Sequence, residues 1–218
     1  MAELEIIGFD LSNWVRAARI ACEEKGVAYT LTPPGTTGFA DIKAEKHLAL
    51  HPFGRMPAMR HGDVVLFETL AIGHYVDRMF EGRPLVPADA LEAVRVEQWL
   101  SAMLDYVSRS IMRGHVMHYV FPKGPDGEPD RAAVEAGIPE VRAHLAILDK
   151  ALADGPYFHG ETPYLDDFVL LPMLDALCIT KEGPELLAEA PNVARHRAHF
   201  QNRPSYEATI PERFRQAA

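Results

Sequence analysis

His51-Pro52-Phe53-Gly54-Arg55-Met56-Pro57, followed by Glu68-Thr69, holds the residue types and spacing best suited to gripping a ligand. A proline that opens a β-strand cannot donate to the ladder, and X-Pro is the linkage for which cis is cheap. A cis Met56–Pro57 bond turns the Met56 N–H and C=O outward, where an extended peptide can dock antiparallel as a short added strand. Glu68-Thr69 closes the next β-like run, 64–67, and opens an amphipathic helix. Its carboxylate, hydroxyl and first-turn N–H groups can then hold the charged ends of the same ligand. Taken singly, the pieces read as a turn proline and a helix cap; together they read as a peptide-binding edge.

Other candidates carry less. Ser12 and Asn13 lie where the first strand passes into the first helix, and the commonest task of a serine there is to cap the helix. His115 and His118 stand three apart on a helix, a spacing able to place two imidazoles on a metal. No third ligand accompanies them, so no metal is expected. Cys22 falls mid-helix and reads as a small core residue.

The elements that must position these groups change character near residue 82. Before it, β-like runs at 4–8, 27–32, 57–60 and 64–67 alternate with helical stretches at 14–25, 39–50 and 70–80. Gly26 is a fitting helix stop, and His61-Gly62-Asp63 a tight hairpin turn. The order βαβ, α, ββα fits an α/β sandwich with a mixed sheet, its parallel unit right-handed. Residues 82–88 form a proline-containing linker. Beyond it the pattern is helical: one long helix over 91–119 with an apolar stripe of Val94, Trp99, Met103, Val107 and Ile111, then 131–154, 166–180, 184–190 and 193–203. Residues 123–129 form a Pro/Gly/Asp loop, and the last segment, 206–218, is expected to be mobile. The expected domains are 1–81, α/β, and 89–218, all helical.

Composition narrows the function. The 218 residues are 48% hydrophobic and 24% charged, ordinary for a soluble globular protein, and carry a net charge of −9. A nucleic-acid partner is not expected, because no basic stripe is present. Nor is a membrane: no apolar run approaches the 18–20 or so residues that span a bilayer. Two distant cysteines and an acidic start without a signal-peptide profile point to a reducing, cytoplasmic setting.

Set side by side, Gly8…Ser12-Asn13…Arg16…Glu23-Glu24-Lys25-Gly26, the 51–59 run, Leu66-Phe67-Glu68-Thr69-Leu70-Ala71-Ile72, the 160–168 run, and Pro191-Asn192-Val193-Ala194-Arg195 with Arg203-Pro204 resemble the cytosolic glutathione transferases. The likeness spans nearly the whole chain in order. It is specific for the fold and the glutathione site, and weaker for the second substrate. It implies a thioredoxin-like N-terminal domain, a helical domain lining an electrophile pocket, glutathione as co-substrate, and a homodimer. Within the family the chain looks like the serine type (theta- or phi-like, or a related bacterial class). The position of the tyrosine type here offers only Phe9, and neither cysteine can occupy the strand–helix loop.

The resemblance assigns roles. Ser12 donates a hydrogen bond to the glutathione sulfur, with Asn13 as the alternative donor. Met56, behind cis Pro57, pairs its main chain with the cysteinyl unit, and Glu68 and Thr69 hold the γ-glutamyl ammonium and carboxylate. Arg55, where Gln or Lys is commoner, suits either charged end. Lys43 reaches the glycyl carboxylate or is merely solvated. His51 stands where Asn is typical, leaving its side chain without an assigned role. Asp105 contacts a partner subunit's ligand or is solvated, and Phe53 is a dimer key or a core residue. A small hydrophobic electrophile sits near Leu11, Trp14, Arg109, Met112 and Arg113, flanked by His115, His118 and Tyr119. Three functions compete: transferase, glutathione-dependent isomerase or peroxidase, and a non-catalytic binding or dimerisation relative.

Overall fold

The computed structural model describes residues 3–36 and 38–215. Its first half runs β1 (Leu4–Ile7), α1 (Asn13–Lys25), β2 (Tyr29–Thr32), a 3-10 run Gly38–Lys43, α2 (Glu45–Leu48), β3 (Ala58–His61), β4 (Val64–Phe67) and α3 (Thr69–Met79). The sheet order is β2-β1-β3-β4, with β1 and β2 parallel and the other pairs antiparallel. This is the mixed sheet of a thioredoxin-like domain. Leu4, Ile6 and Ile7 of β1 are all buried, as are Ala58 and Met59 opposite them, because helices cover the sheet.

α1 is built as its sequence asks. Ser12 caps it, Val15, Ala18 and Cys22 bury one stripe, and Gly26 ends it at φ 76°. The Gly26 N–H bonds to the Glu23 carbonyl and the Val27 N–H to that of Cys22, satisfying two terminal acceptors.

The helical half comprises α4 (Ala90–Ala102), a π-helical stretch Met103–Val116, α5 (Met117–Val120), α6 (Arg131–Ala151), α7 (Leu165–Cys178), α8 (Gly183–Ala188), α9 (Pro191–Gln201), α10 (Pro204–Thr209) and α11 (Glu212–Arg215). α7 is buried from Leu165 through Leu177 and packs against both α1 and the π-helical stretch, so its middle, Phe168 to Leu174, is apolar on every side. Tyr164 offers no capping oxygen to α7. Asp167 acts from the other direction, its carboxylate accepting from the Tyr164 N–H at 2.9 Å and the Phe158 N–H at 3.1 Å.

The segment joining the halves is packed rather than loose. Leu85 is fully buried, its N–H donates to Asp77 at 2.7 Å, and its carbonyl receives the Leu165 N–H. No helix among the described residues is long and apolar enough to cross a membrane.

Three sequence expectations need correction. The 91–119 helix is continuous in path but changes winding at Met103. Trp99, Met103, Val107 and Ile111 recur every four residues, wider than the about 3.6 of an α-turn, and wider winding keeps such a row on one face. Val94 does not belong to that stripe: it is 62% exposed. The third correction concerns the C-terminal segment, whose described part is helical and packed. Tyr206 and Thr209 of α10 are buried against α1, and Phe214 is buried as well. Its last three residues lie outside the described ones.

Candidate active site

Ser12 sits at φ −74°, ψ 121°, and its Oγ accepts from the Val15 N–H at 3.4 Å. Capping does not exhaust it, since a hydroxyl carries one donor beside its acceptor positions. Its proton remains available to a ligand. The next residue shows the converse: Asn13 Nδ2 is buried with no partner. A stranded amide donor costs about 1–3 kcal/mol, which a ligand acceptor at that point would recover.

Two long-range contacts fasten this turn to the rest. The Phe9 N–H meets Met56 Sδ at 3.5 Å, and Thr69 Oγ1 donates to the Trp14 carbonyl at 3.1 Å. The strand–helix turn, the proline loop and the start of α3 therefore converge.

The Met56–Pro57 bond is cis. Met56 precedes β3, and its main-chain N–H and C=O take no part in the turn and loop hydrogen bonds of the described residues. The loop before it is braced from below. Gly54 adopts φ 56°, and a Cβ there would lie 2.7 Å from the Ile42 carbonyl oxygen. Lys43 Nζ donates to the Phe53 carbonyl at 3.1 Å, and buried His47 donates through Nε2 to the Arg55 carbonyl at 2.6 Å. The Arg55 side chain is exposed.

Glu68 is a non-glycine residue at φ 72°, ψ 127°, a conformation that costs on the order of 1–3 kcal/mol. Its side chain is 62% exposed and does not cap α3. The first-turn N–H groups of that helix are thus left for an outside anion. His51 Nε2 lies 3.9 Å from the Glu68 carboxylate.

The helical half treats its named residues differently. Asp105 and Arg109 are both exposed and pair with each other at 2.9 Å. Met112 is 6% exposed and part of the core, whereas Arg113 faces solvent. Among the described residues, no hydrogen bond or ion pair joins these four to the first domain. Leu11 is exposed and Trp14 half-buried against the core. His115 is fully buried, its Nε2 3.0 Å from Thr180 Oγ1, and burial lowers its pKa. Tyr119 donates to Glu182, which also accepts from Arg131 at 2.5 Å. The two rings expected beside a pocket thus serve a polar network linking α5, α6 and α8. No group of three or more His, Cys, Asp or Glu able to hold a metal occurs among the described residues.

Family models decide the identity. Residues 5–78 match the glutathione S-transferase N-terminal domain, and residues 110–204 the glutathione S-transferase C-terminal domain. The chain belongs to the glutathione transferase family. It is similar to Glutathione S-transferase 3 of Zea mays, 33% identical over 96% of this chain and 94% of that one. The apo structure of glutathione S-transferase III is 28% identical, with a TM-score of 0.80 over 96% of each chain. Poplar glutathione transferase F1 shares the fold over the whole of both chains, at a TM-score of 0.86 and 23% identity. Elongation factor 1-gamma 1 of Oryza sativa subsp. japonica is 27% identical over 93% of this chain and 47% of that protein.

Sequence reasoning missed the Thr69–Trp14 bond, the His51–Glu68 approach and the ion pair of Arg16 with Asp175, 2.5 Å apart and almost fully buried. The last two partners are 159 residues apart along the chain, and no local pattern encodes such a contact.

Proposed function

We propose that this glutathione transferase binds glutathione along Met56, with the sulfur beside Ser12, and transfers it to a small hydrophobic electrophile. The cysteinyl unit takes the free main-chain groups of Met56. The γ-glutamyl carboxylate meets the main-chain N–H groups of the α3 first turn, that of Thr69 included, because the Thr69 hydroxyl donates to the Trp14 carbonyl, and its ammonium meets Glu68. Arg55 and Lys43 are the cations for the remaining carboxylate.

A free thiol has a pKa of about 8.5, and only the thiolate attacks. The Ser12 hydroxyl and the α1 N-terminus both favour the charged sulfur, and Asn13 Nδ2 is the second donor in reach of this turn. The sulfur–carbon bond then forms as the electrophile's leaving group departs with its bonding pair. The electrophile packs at Leu11, Trp14 and Arg113, with Met112 sunk in the core and Arg109 held on its own helix by Asp105.

The convergence of the Ser12 turn, Met56 and Thr69 through two long-range contacts carries the reading. Its test is conjugation of a chlorinated arene by wild type, Ser12→Ala and Asn13→Ala. In Ser12→Ala, turnover at neutral pH is expected to fall about 10- to 100-fold, and the apparent thiol pKa to return to about 8.5. Asn13→Ala is expected to retain most activity. Wild-type turnover in Ser12→Ala would remove that residue from the chemistry, and a panel of electrophiles separates conjugation from isomerisation and peroxide reduction.

The likeness to elongation factor 1-gamma favours a second reading, a non-catalytic module. Retention on immobilised glutathione without turnover would select it.

We also infer a homodimer in the cytoplasm. Phe53 is 68% exposed, and a 280 Å³ apolar groove beside Trp99, Tyr106, Ile147 and Leu148 can receive such a ring from a second copy. Phe53→Asp is expected to sediment as a monomer.

A further inference from the structure

His51 occupies a position at the glutathione site that the roles above leave without a task. Its N–H bonds to the His47 carbonyl at 2.8 Å, and its own carbonyl receives the Gly54 N–H at 2.8 Å. The imidazole is 1% exposed and held among the rings of Phe67 (4.9 Å between centroids), His47 (6.3 Å) and Phe53 (6.4 Å). Nδ1 is buried and has no partner, while Nε2 lies 3.9 Å from Glu68 Oε1. That distance is too long for a hydrogen bond, but the carboxylate is mostly exposed and so free to move. The Glu68 main chain is fixed, since its carbonyl accepts the Ile72 N–H at 3.0 Å. A rigid ring therefore faces a movable carboxylate, the one that takes the ligand's ammonium in the reading above.

We propose that His51 is a positioning residue for Glu68: its Nε2 fixes where the carboxylate meets the γ-glutamyl ammonium, and a proton on the ring draws the carboxylate off that ammonium. The idea rests on the glutathione reading of the site and adds a regulation to it. A neutral imidazole protonated at Nε2 donates to one carboxylate oxygen and leaves the other for the ligand. An imidazolium places a second cation against the same anion, and the two cations compete. The charged and titratable groups around the ring are His47 on α2, Arg55 in the following loop and Glu68 at the head of α3. Burial, first, and the neighbouring His47 and Arg55 hold the imidazole below its ordinary range, while Glu68 pulls the other way. The ring is thus neutral at neutral pH and gains its proton only below the ordinary imidazole range. Ligand binding then expels that proton.

Calorimetry with S-hexylglutathione, whose sulfur does not titrate, tests this from about pH 7.5 down to about pH 5. Wild type is expected to bind at least about 5-fold more weakly at the acid end, with proton release read from buffers of different ionisation enthalpy. His51→Gln, which retains a donor but cannot titrate, is expected to stay within about twofold of wild type at neutral pH and to lose the acid weakening. His51→Phe, which keeps only the shape, is expected to bind several-fold more weakly at neutral pH and to show a flat profile. An S-hexyl analogue lacking the γ-glutamyl amino group is expected to show no His51-dependent acid weakening.

A His51→Gln profile that tracks wild type, or equal acid weakening with the amino-free analogue, overturns the proposal. Thermal unfolding of each variant separates loss of fold from loss of binding, and His51→Gln carries the test if His51→Phe does not fold. Failure of wild type to bind S-hexylglutathione at any pH refutes the glutathione reading itself, an outcome distinct from both.

Discussion

The two halves of the molecule commit their polar groups in opposite ways. Around Ser12, Met56 and Glu68 the structure leaves donors and acceptors open: a hydroxyl proton, a buried amide nitrogen, a free peptide unit and a helix first turn. In the helical half, Asp105 is tied to Arg109, Tyr119 to Glu182 and His115 to Thr180, and Met112 is sunk in the core. A site built from main-chain groups at element ends can stay open, because those ends lack internal partners. A side chain inside a helical bundle must be paired or apolar, since burying an unpaired polar group costs too much. The difference teaches where to look for each substrate. In the proposed reading the tripeptide is gripped by backbone, whereas the electrophile meets whichever side chains the bundle has not already used.

The largest expected effect would test whether the halves are independent. Arg16 on α1 is almost fully buried against Asp175 on α7, which also binds Arg197 at 2.6 Å. Asp175→Ala leaves a buried guanidinium unpaired and is expected to cost about 3–5 kcal/mol, read from the denaturant midpoint. An unchanged midpoint would mean that the first half does not depend on this cross-link. Next, Met112→Ala is expected to lose about 2–5 kcal/mol of stability, as a core truncation does. A large change in electrophile KM with stability intact would instead put Met112 on the substrate side of the comparison.

Smaller effects sharpen it. Thr69→Val removes the bond to the Trp14 carbonyl and is expected to raise the glutathione KM several-fold, for about 0.5–1.5 kcal/mol, with little change in electrophile KM. Tyr119→Phe is expected to cost at most about 1 kcal/mol of stability and leave both KM values near wild type, because its hydroxyl serves Glu182. A change in electrophile KM there would return Tyr119 to the pocket.

Much of the first half was legible because its signals are local. The serine cap, the Gly26 stop, the hairpin at Gly62 and the X-Pro before β3 each act within a few residues. The 91–119 stretch was legible as helix but not as π-helix, because an apolar row every four residues is compatible with both windings until neighbours fix one. Val94 carried the right residue type for the core and still ended in solvent, since burial depends on what packs opposite. The α10 segment looked like a tail for a related reason: its buried face exists only against α1.

The strand and helix order up to residue 203, the proline loop and the pairing of Ser12 with a helix start were all set by short-range backbone preferences. Only the tertiary structure decided which charges are consumed, Arg16 by Asp175 and Glu24 by Arg203 at 2.6 Å, and which remain for a ligand. Whether a polar group is free depends on distance in space. For partners more than a hundred residues apart along the chain, the folded core alone sets that distance.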